Sequence, residues 1–125
     1  MQALIISQPR LDMIINGMSS CDRRHFDTKR RGRIALVDPA GFIKGFADLV
    51  DSVPVSYDEY REHHPGEVTA DMWAQHRRYY ELRFSRVKRV EPPIPVNVGE
   101  STVWLDVPDN AESGMMQSSL SEWFD

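Results

Sequence analysis

Residues 17–33, GMSSCDRRHFDTKRRGR, combine a strand signal with a dense run of basic residues. Gly17 is typical of a residue that ends a helix. The residues after it predict a short strand in which Ser20, Asp22 and Arg24 alternate. Since successive side chains of a strand point to opposite faces, these three would line one surface. A hydroxyl, a carboxylate and a guanidinium on one surface form a hydrogen-bonding set for a polar ligand.

The basic residues of this stretch predict phosphate contacts. Six of the fifteen Lys and Arg residues of the chain lie within it: Arg23, Arg24, Lys29, Arg30, Arg31 and Arg33. The last four predict a basic loop beside the strand, which is suited to phosphate groups. Together the strand and the loop predict a pocket for a phosphate-bearing ligand such as a nucleotide. The alternatives are a structural ion pair on the strand and a solvated loop.

The flanking segments predict a mixture of short strands and short helices. Apolar runs, alternating stretches and capping signals give strands over 3–7, 18–24, 33–37, 42–52, 79–90 and 101–107, a helix from residue 7 or 8 to residue 16, and helices after residues 56 and 69. Gly45 is expected at a bulge or a close backbone approach. The prolines of residues 92–95 predict a rigid, irregular segment, since proline cannot donate to a ladder. Because the order is not βαβα, we expect an α+β fold or a small barrel with helical insertions.

The composition is that of one globular domain. The chain has 125 residues, of which 41% are hydrophobic and 27% charged. This length can bury most of its apolar surface without disulfide or metal cross-links. Cys21 is the single cysteine, so no intramolecular disulfide can form and a cytoplasmic location is expected. The apolar run at residues 3–6 is too short for a signal peptide or a membrane span, so we expect no membrane association.

Charge is divided unevenly along the chain. Residues 1–99 contain all fifteen Lys and Arg, whereas residues 100–125 contain six acidic residues and no basic one. Pro108 follows the last predicted strand. We therefore expect a folded domain over 1–108 and a flexible acidic tail over 109–125. The tail offers a surface for a protein partner, which makes an interaction adaptor one alternative function.

A second cluster combines basic and aromatic residues. Tyr79 and Tyr80 open the predicted long strand, between two basic groups: His76, Arg77 and Arg78 before them, and Arg83, Arg86, Lys88 and Arg89 after them. Aromatic rings and guanidinium groups together hold single-stranded nucleic acid by stacking and charge. Since neighbours on a strand alternate, one of the two tyrosines must face away from the core, where it would form a stacking platform.

One group of residues contains side-chain types that bind metal ions. His63 and His64 lie near Glu62 and Glu67. They lack the His-Glu-x-x-His spacing, and no cysteine pair accompanies them. We therefore expect no metal and no cofactor.

Four segments follow one another in an order found in a known family. They are SQPRLDMIINGMSSCDRR, RRGRIALVD, GFIKGFADLVDSVPVS, and YYELRFSRVKRVEPPIPV followed by STVWLDV. In this order they resemble the ASCH domain (activating-signal cointegrator homology) of the PUA-like superfamily, over about residues 3–107. The resemblance implies an α+β fold built as a small PUA-like mixed β-barrel with two or three short flanking helices. It also implies a groove beside the motif strand for ligands of RNA type.

The family motif, G-x-K-x-x-E-x-R, is matched at two positions and changed at two. Gly17 and Arg24 match it. Asp22 replaces the glutamate, and Ser19 stands at the lysine position. Some small members of the family hydrolyse N4-acylated cytidines with that lysine, a hydroxyl two residues before the arginine and a glutamate elsewhere. Since Ser19 and Asp22 occupy the first two of these positions, the resemblance implies a binding protein rather than this enzyme.

The sequence therefore predicts a non-catalytic module for RNA, single-stranded nucleic acid or a nucleotide-like ligand, including one with a modified base. Its expected binding residues are Ser19, Ser20, Asp22, Arg24, Lys29, Arg30, Arg31, Arg33, Tyr79 and Tyr80. No catalytic residue is predicted. An amidohydrolase of N4-acylcytidine-like amides is the alternative, because Lys29 or Lys44 could supply the missing amine from a neighbouring element.

Overall fold

The computed structural model describes residues 1–63 and 79–113. The elements in chain order are β1 (Gln2–Ile5), α1 (Arg10–Ile15), β2 (Cys21–Arg24), β3 (Gly32–Val37), β4 (Phe42–Pro54), α2 (Tyr57–His63), β5 (Tyr80–Pro95) and β6 (Trp104–Asp106). A single helical turn follows at residues 111–113. The helix expected after residue 69, with His64, Glu67 and the basic residues 76–78, lies outside the described residues, as does most of the acidic tail.

The six strands form one curled sheet that closes into a half-barrel. Their order is β2-β5-β4-β3-β1-β6. Only β1 and β3 run parallel, while the other four neighbouring pairs are antiparallel. Helices flank this mainly antiparallel sheet instead of alternating with its strands, so the predicted α+β class is confirmed. No helix within the two described ranges is long and apolar enough to cross a membrane.

Helix α1 follows directly from its sequence. Pro9 precedes its first residue, where a missing N–H costs no hydrogen bond. Leu11 and Ile14 are spaced to share one face, and both are fully buried against the sheet. The helix ends at Asn16, and Gly17 follows with a φ of 77°. Glycine adopts this left-handed conformation with less strain than other residues, so Gly17 ends the helix as the sequence predicted.

The two longest strands, β4 and β5, form an extended antiparallel pair. Its ladder has three register shifts, one of them between Ile43 and Gly45. The expected bulge at Gly45 is therefore confirmed. A Cβ at Gly45 would lie 2.7 Å from the carbonyl oxygen of Lys88, so the close packing of these two strands requires glycine there.

The segment of residues 92–95 corrects the sequence expectation. It continues β5 rather than forming an irregular stretch, and Ile94 pairs with Ile43 while Pro95 pairs with Phe42. Proline removes a donor but keeps its carbonyl acceptor, and this end of β5 has β4 on one side and, among the described residues, no strand on the other, because β2 pairs only with residues 80–83. A strand can therefore include these prolines at the end of the sheet.

Buried apolar residues lie on both faces of the sheet. The first core cluster contains Leu4, Ile6, Leu11, Ile14, Ile34, Leu36, Ala47, Leu49, Leu82 and Phe84. The second core cluster contains Ala3, Ile5, Ala35, Val37, Ile43, Phe46, Val90 and Val107. Successive residues of β1 and β3 alternate between the two, as the period of a strand requires. Residues 3–6 and 34–37 are therefore apolar without interruption.

Candidate functional site

The motif strand β2 places Asp22 and Arg24 on one face, as predicted. The Nε of Arg24 donates to Oδ2 of Asp22 at 2.5 Å, and its Nη2 donates to the carbonyl oxygen of Ile5 at 2.6 Å. The two side chains are only 19% and 9% exposed. The ion pair that the sequence offered as an alternative is therefore present, and it is mostly buried because Arg24 reaches the backbone of β1. Asp22 and Arg24 are part of the wall of the half-barrel.

Arg24 retains capacity for a ligand. Its contacts with Asp22 and Ile5 use Nε and one Nη2 hydrogen. These two bonds leave the Nη1 hydrogens of Arg24 available within the described ranges. The guanidinium also lies 6.0 Å from the ring centroid of Phe26. A fixed, partly buried guanidinium with spare donors can recognise a polar edge.

Ser19 and Ser20 lie just before β2 and differ in their roles. The Ser19 hydroxyl donates to the carbonyl oxygen of Cys21 at 3.1 Å and accepts from Arg10 at 3.4 Å. Ser20 is exposed, and its carbonyl oxygen accepts from the N–H of Phe84 at 2.8 Å. Ser19 is thus tied to the local backbone, at the position where the family motif has lysine.

The two tyrosines lie at the end of β5 that pairs with β2. Tyr80 is opposite Arg24 and packs against the first core cluster. The ring of Tyr79 lies 4.4 Å from the ring of His25, at an angle of 56°. The alternation of core and outer positions is as predicted, with Tyr79 as the outer ring. His25 was missed from sequence, although its place directly after Arg24 in the motif stretch was an available signal.

The basic loop does not form one cluster, and the expectation that its residues act together needs correction. Arg30 lies over the ring of Trp104, 4.4 Å from the centroid. Arg31 donates to the carbonyl oxygen of Thr28 at 2.8 Å. Lys29 is exposed. Arg30 is thus held by a ring of β6 and Arg31 by carbonyl oxygens of its own loop, so these basic residues, adjacent in sequence, do not converge on one site.

Arg33, the last residue of that set, lies elsewhere. It belongs to β3, and its Nη2 donates to Oε2 of Glu112 at 2.8 Å. Its Nη1 lies 3.4 Å from Oδ1 of Asp48 on β4. The hydrogen bond with Glu112 raises the pKa of Arg33, against the lowering effect of burial. Arg33 shares its sheet face with Ala35 and the second core cluster, so it is separated from the face of Asp22 and Arg24.

The outer face of β2 carries a second ion-pair group. Glu81 of β5 accepts from Arg83 at 3.0 Å and from Arg23 at 3.2 Å. Burial tends to raise the pKa of Glu81, but the hydrogen bonds from Arg83 and Arg23 outweigh it and lower the pKa. Cys21 on the same face is half-buried, because β2 is an edge strand with a neighbour on one side only.

A separate cavity of about 210 Å³ lies between α1 and the paired strands β4 and β5. Its lining residues are Asp12, Ile15, Asn16, Lys44, Arg89, Val90, Glu91 and Pro93. Lys44 therefore lines a different part of the molecule from Asp22 and Arg24. Among the described residues, no group of three or more His, Cys, Asp or Glu is arranged to hold a metal ion.

Comparison with solved structures identifies the fold. The chain is similar to the ASCH protein from Zymomonas mobilis, with a TM-score of 0.62 and 14% identity over 93% of this chain and 94% of that chain. Two mutant structures of that protein match with TM-scores of 0.59 and 0.52, each at 14% identity over 95% of this chain and 94% and 96% of those chains. No family model and no curated protein matches the sequence. The chain therefore has an ASCH-like α+β fold, and the resemblance drawn from its segments is confirmed at the level of fold.

Proposed function

We propose that this protein binds a nucleotide-like ligand or single-stranded RNA at the end of the β2–β5 pair. One observation carries the proposal: the register places Arg24 opposite Tyr80, while Tyr79 contacts His25 at the same end of these strands. The Arg24 guanidinium, its partner carboxylate on Asp22 and three aromatic rings thus lie at the same end of this strand pair. Base recognition uses this combination of hydrogen-bonding groups and stacking surfaces.

The roles of these groups differ. The spare donors of Arg24 suit a carbonyl or ring nitrogen on a base edge, and Asp22 fixes the guanidinium in place. Tyr79 and His25 supply the stacking surface, since every base has a π-face. Lys29, exposed in the loop between β2 and β3, supplies a phosphate contact. Apart from His25, the proposed binding residues are a subset of those that the sequence suggested.

An amidohydrolase receives less support from the geometry. The Ser19 hydroxyl is bonded to the Cys21 carbonyl and to Arg10. Lys44 lines the cavity beside α1, and Lys29 is exposed on the loop. A general base or nucleophile must lie within hydrogen-bonding reach of the reacting group. Neither lysine is placed beside Ser19 by a contact within the described part of the chain.

The test is RNA binding by variants of the outer tyrosine. Fluorescence anisotropy with a labelled single-stranded oligoribonucleotide should show weaker binding for Tyr79→Ala by about 1–3 kcal/mol, the usual contribution of one stacked base. Tyr57→Ala is the matched control, since Tyr57 lies on α2 beside Arg61. Equal affinities for the wild-type protein and Tyr79→Ala would contradict the proposed site.

A parallel assay separates binding from catalysis. The wild-type protein is incubated with N4-acetylcytidine, and the products are separated by chromatography. We expect the nucleoside to be recovered unchanged. Release of cytidine and acetate would establish the amidohydrolase instead, and the search for its base would then begin at Ser19 and Asp22.

A further inference from the structure

A compact charged group lies on the sheet face opposite the Asp22–Arg24 pair. Arg33 of β3 faces Asp48 of β4 in the strand register. Arg86 of β5 lies 3.3 Å from the other oxygen of Asp48, between its Nη1 and Oδ2. The Nη1 of Arg33 also donates to the carbonyl oxygen of Arg86 at 2.6 Å. Two arginines are therefore held side by side around one carboxylate.

Glu112, in the C-terminal segment, binds to this charged group. Both of its oxygens accept from Arg33, Oε1 from Nε at 3.2 Å and Oε2 from Nη2 at 2.8 Å. Ala111 packs against the second core cluster and so holds the helical turn of residues 111–113 in place. The paired side chains are 22% and 25% exposed. The arrangement is a two-bond guanidinium–carboxylate contact between residues far apart in sequence.

The backbone of β5 is distorted at this point. Arg86 has a φ of 52°, the one positive value among the non-glycine residues described. The distortion accompanies the register shift between Phe46 and Asp48. Left-handed backbone costs energy in any residue with a Cβ, and such strain is concentrated at functional sites. The side chain of this residue contacts Asp48 and is 78% exposed.

The charges around Glu112 are mainly positive. The hydrogen bond from Arg33 lowers the pKa of Glu112, and Lys88 and Arg86 lower it further through their charges. Glu112 is consequently ionised at neutral pH. Removal of this charge frees the guanidinium edge of Arg33 that Glu112 binds, while Asp48 stays in contact with Arg33 and Arg86.

We propose that Arg33 and Arg86 form a second phosphate-binding site, and that Glu112 occupies it as an internal competitor. The Nε–Nη2 edge of arginine binds carboxylate and phosphate in the same two-bond geometry. A phosphate group can therefore replace the Glu112 carboxylate without movement of the strands. The ligand is a phosphate oxyanion, from either a small polyphosphate or a polynucleotide backbone. The site lies on the other sheet face from the proposed base-binding site and does not depend on it.

The test compares Glu112→Gln with Glu100→Gln. Both variants remove one negative charge, but Glu112 is bonded to Arg33, whereas Glu100 is exposed in a turn. Glu112→Gln should bind tripolyphosphate about three- to fivefold more tightly than the wild-type protein, the range expected when one partly exposed ionic competitor is lost. Glu100→Gln should bind as the wild-type protein does. A labelled oligouridylate is the second probe. Tighter binding of both probes by Glu112→Gln assigns the site to phosphate in general, whereas tighter binding of one probe identifies that probe's class, small polyphosphate or polynucleotide, as the ligand.

A second substitution and a second measurement make the result decisive. Adding Arg33→Gln to Glu112→Gln should remove the gain, with melting curves to verify folding. In the unmodified protein, millimolar tripolyphosphate should shift the Arg33 Nε–H resonance as it displaces Glu112. Equal affinities for the two glutamate variants, or an unmoved Arg33 resonance, overturn the proposal. Loss of RNA binding in Tyr79→Ala does not bear on it, so the two proposals fail independently.

Discussion

The guanidinium of Arg24 donates to the main-chain carbonyl oxygen of Ile5 at 2.6 Å. This bond links β2, at one edge of the sheet, to β1, which lies next to the opposite edge. The same guanidinium holds the buried carboxylate of Asp22. Arg24 therefore stabilises the closed half-barrel as well as facing the proposed binding site.

Replacement of Arg24 should destabilise the protein strongly. Arg24→Ala leaves the Asp22 carboxylate and the Ile5 carbonyl without their shared donor, and breaking a buried pair costs about 3–5 kcal/mol. Chemical denaturation measures the change in the free energy of unfolding. Arg89→Ala is the control, because Arg89 is half exposed and its carboxylate partner Glu91 is more exposed still. A loss below about 1 kcal/mol for Arg24→Ala would show that the pair behaves as a surface ion pair.

Gly45→Ala should be among the most destabilising single substitutions. The new Cβ would lie 2.4 Å from Cδ1 of Ile15 and 2.7 Å from the carbonyl oxygen of Lys88. We expect a loss of about 3 kcal/mol, at the upper end for an overpacked core. Adding Ile15→Val removes the Cδ1 contact but not the backbone contact, so it should restore only part of the stability. Complete recovery of stability in the double variant would mean that strands β4 and β5 can shift apart to accommodate the new Cβ.

Lys29→Ala should weaken RNA binding through charge alone. Lys29 is exposed on its loop, whereas Arg31 is bonded to the backbone of its own loop. The slope of log K against log salt should become less negative by about 0.7, the change for one phosphate contact with a single strand. Anisotropy titrations at several salt concentrations measure the slope. A slope that does not change would make Lys29 a solvated residue without a phosphate contact.

Acid should remove the stabilisation provided by Glu81. The pKa of Glu81 is lowered on folding, so its contribution is present above the ordinary glutamate range, near pH 4.3, and is lost as pH falls through the lower folded value. The melting temperature of Glu81→Gln should thus be below that of the wild-type protein at pH 7. The difference should shrink steadily below about pH 4. A difference that stays constant down to pH 2 would exclude this carboxylate as its source.

Local pattern predicted most of the elements. The alternation of Asp22 and Arg24, the helix before Gly17 and the bulge at Gly45 all follow from the spacing of neighbouring residues. Strand and helix periods are local properties, so a short stretch is enough to define them. The N-terminal hydroxyl cap of α2 is also of this kind, since Ser56 accepts from the N–H of Glu59 at 3.2 Å.

The partners of the charged residues depended on tertiary structure. The bond from Arg24 to Ile5 requires the curl of the whole sheet, and the contact of Arg33 with Glu112 joins residues 79 positions apart. Sequence spacing carries no information on such distances, because they depend on strand order and register. The sequence by itself thus determined which residues alternate, turn and cap, whereas the folded sheet decided which carboxylate, carbonyl or ring each basic side chain meets.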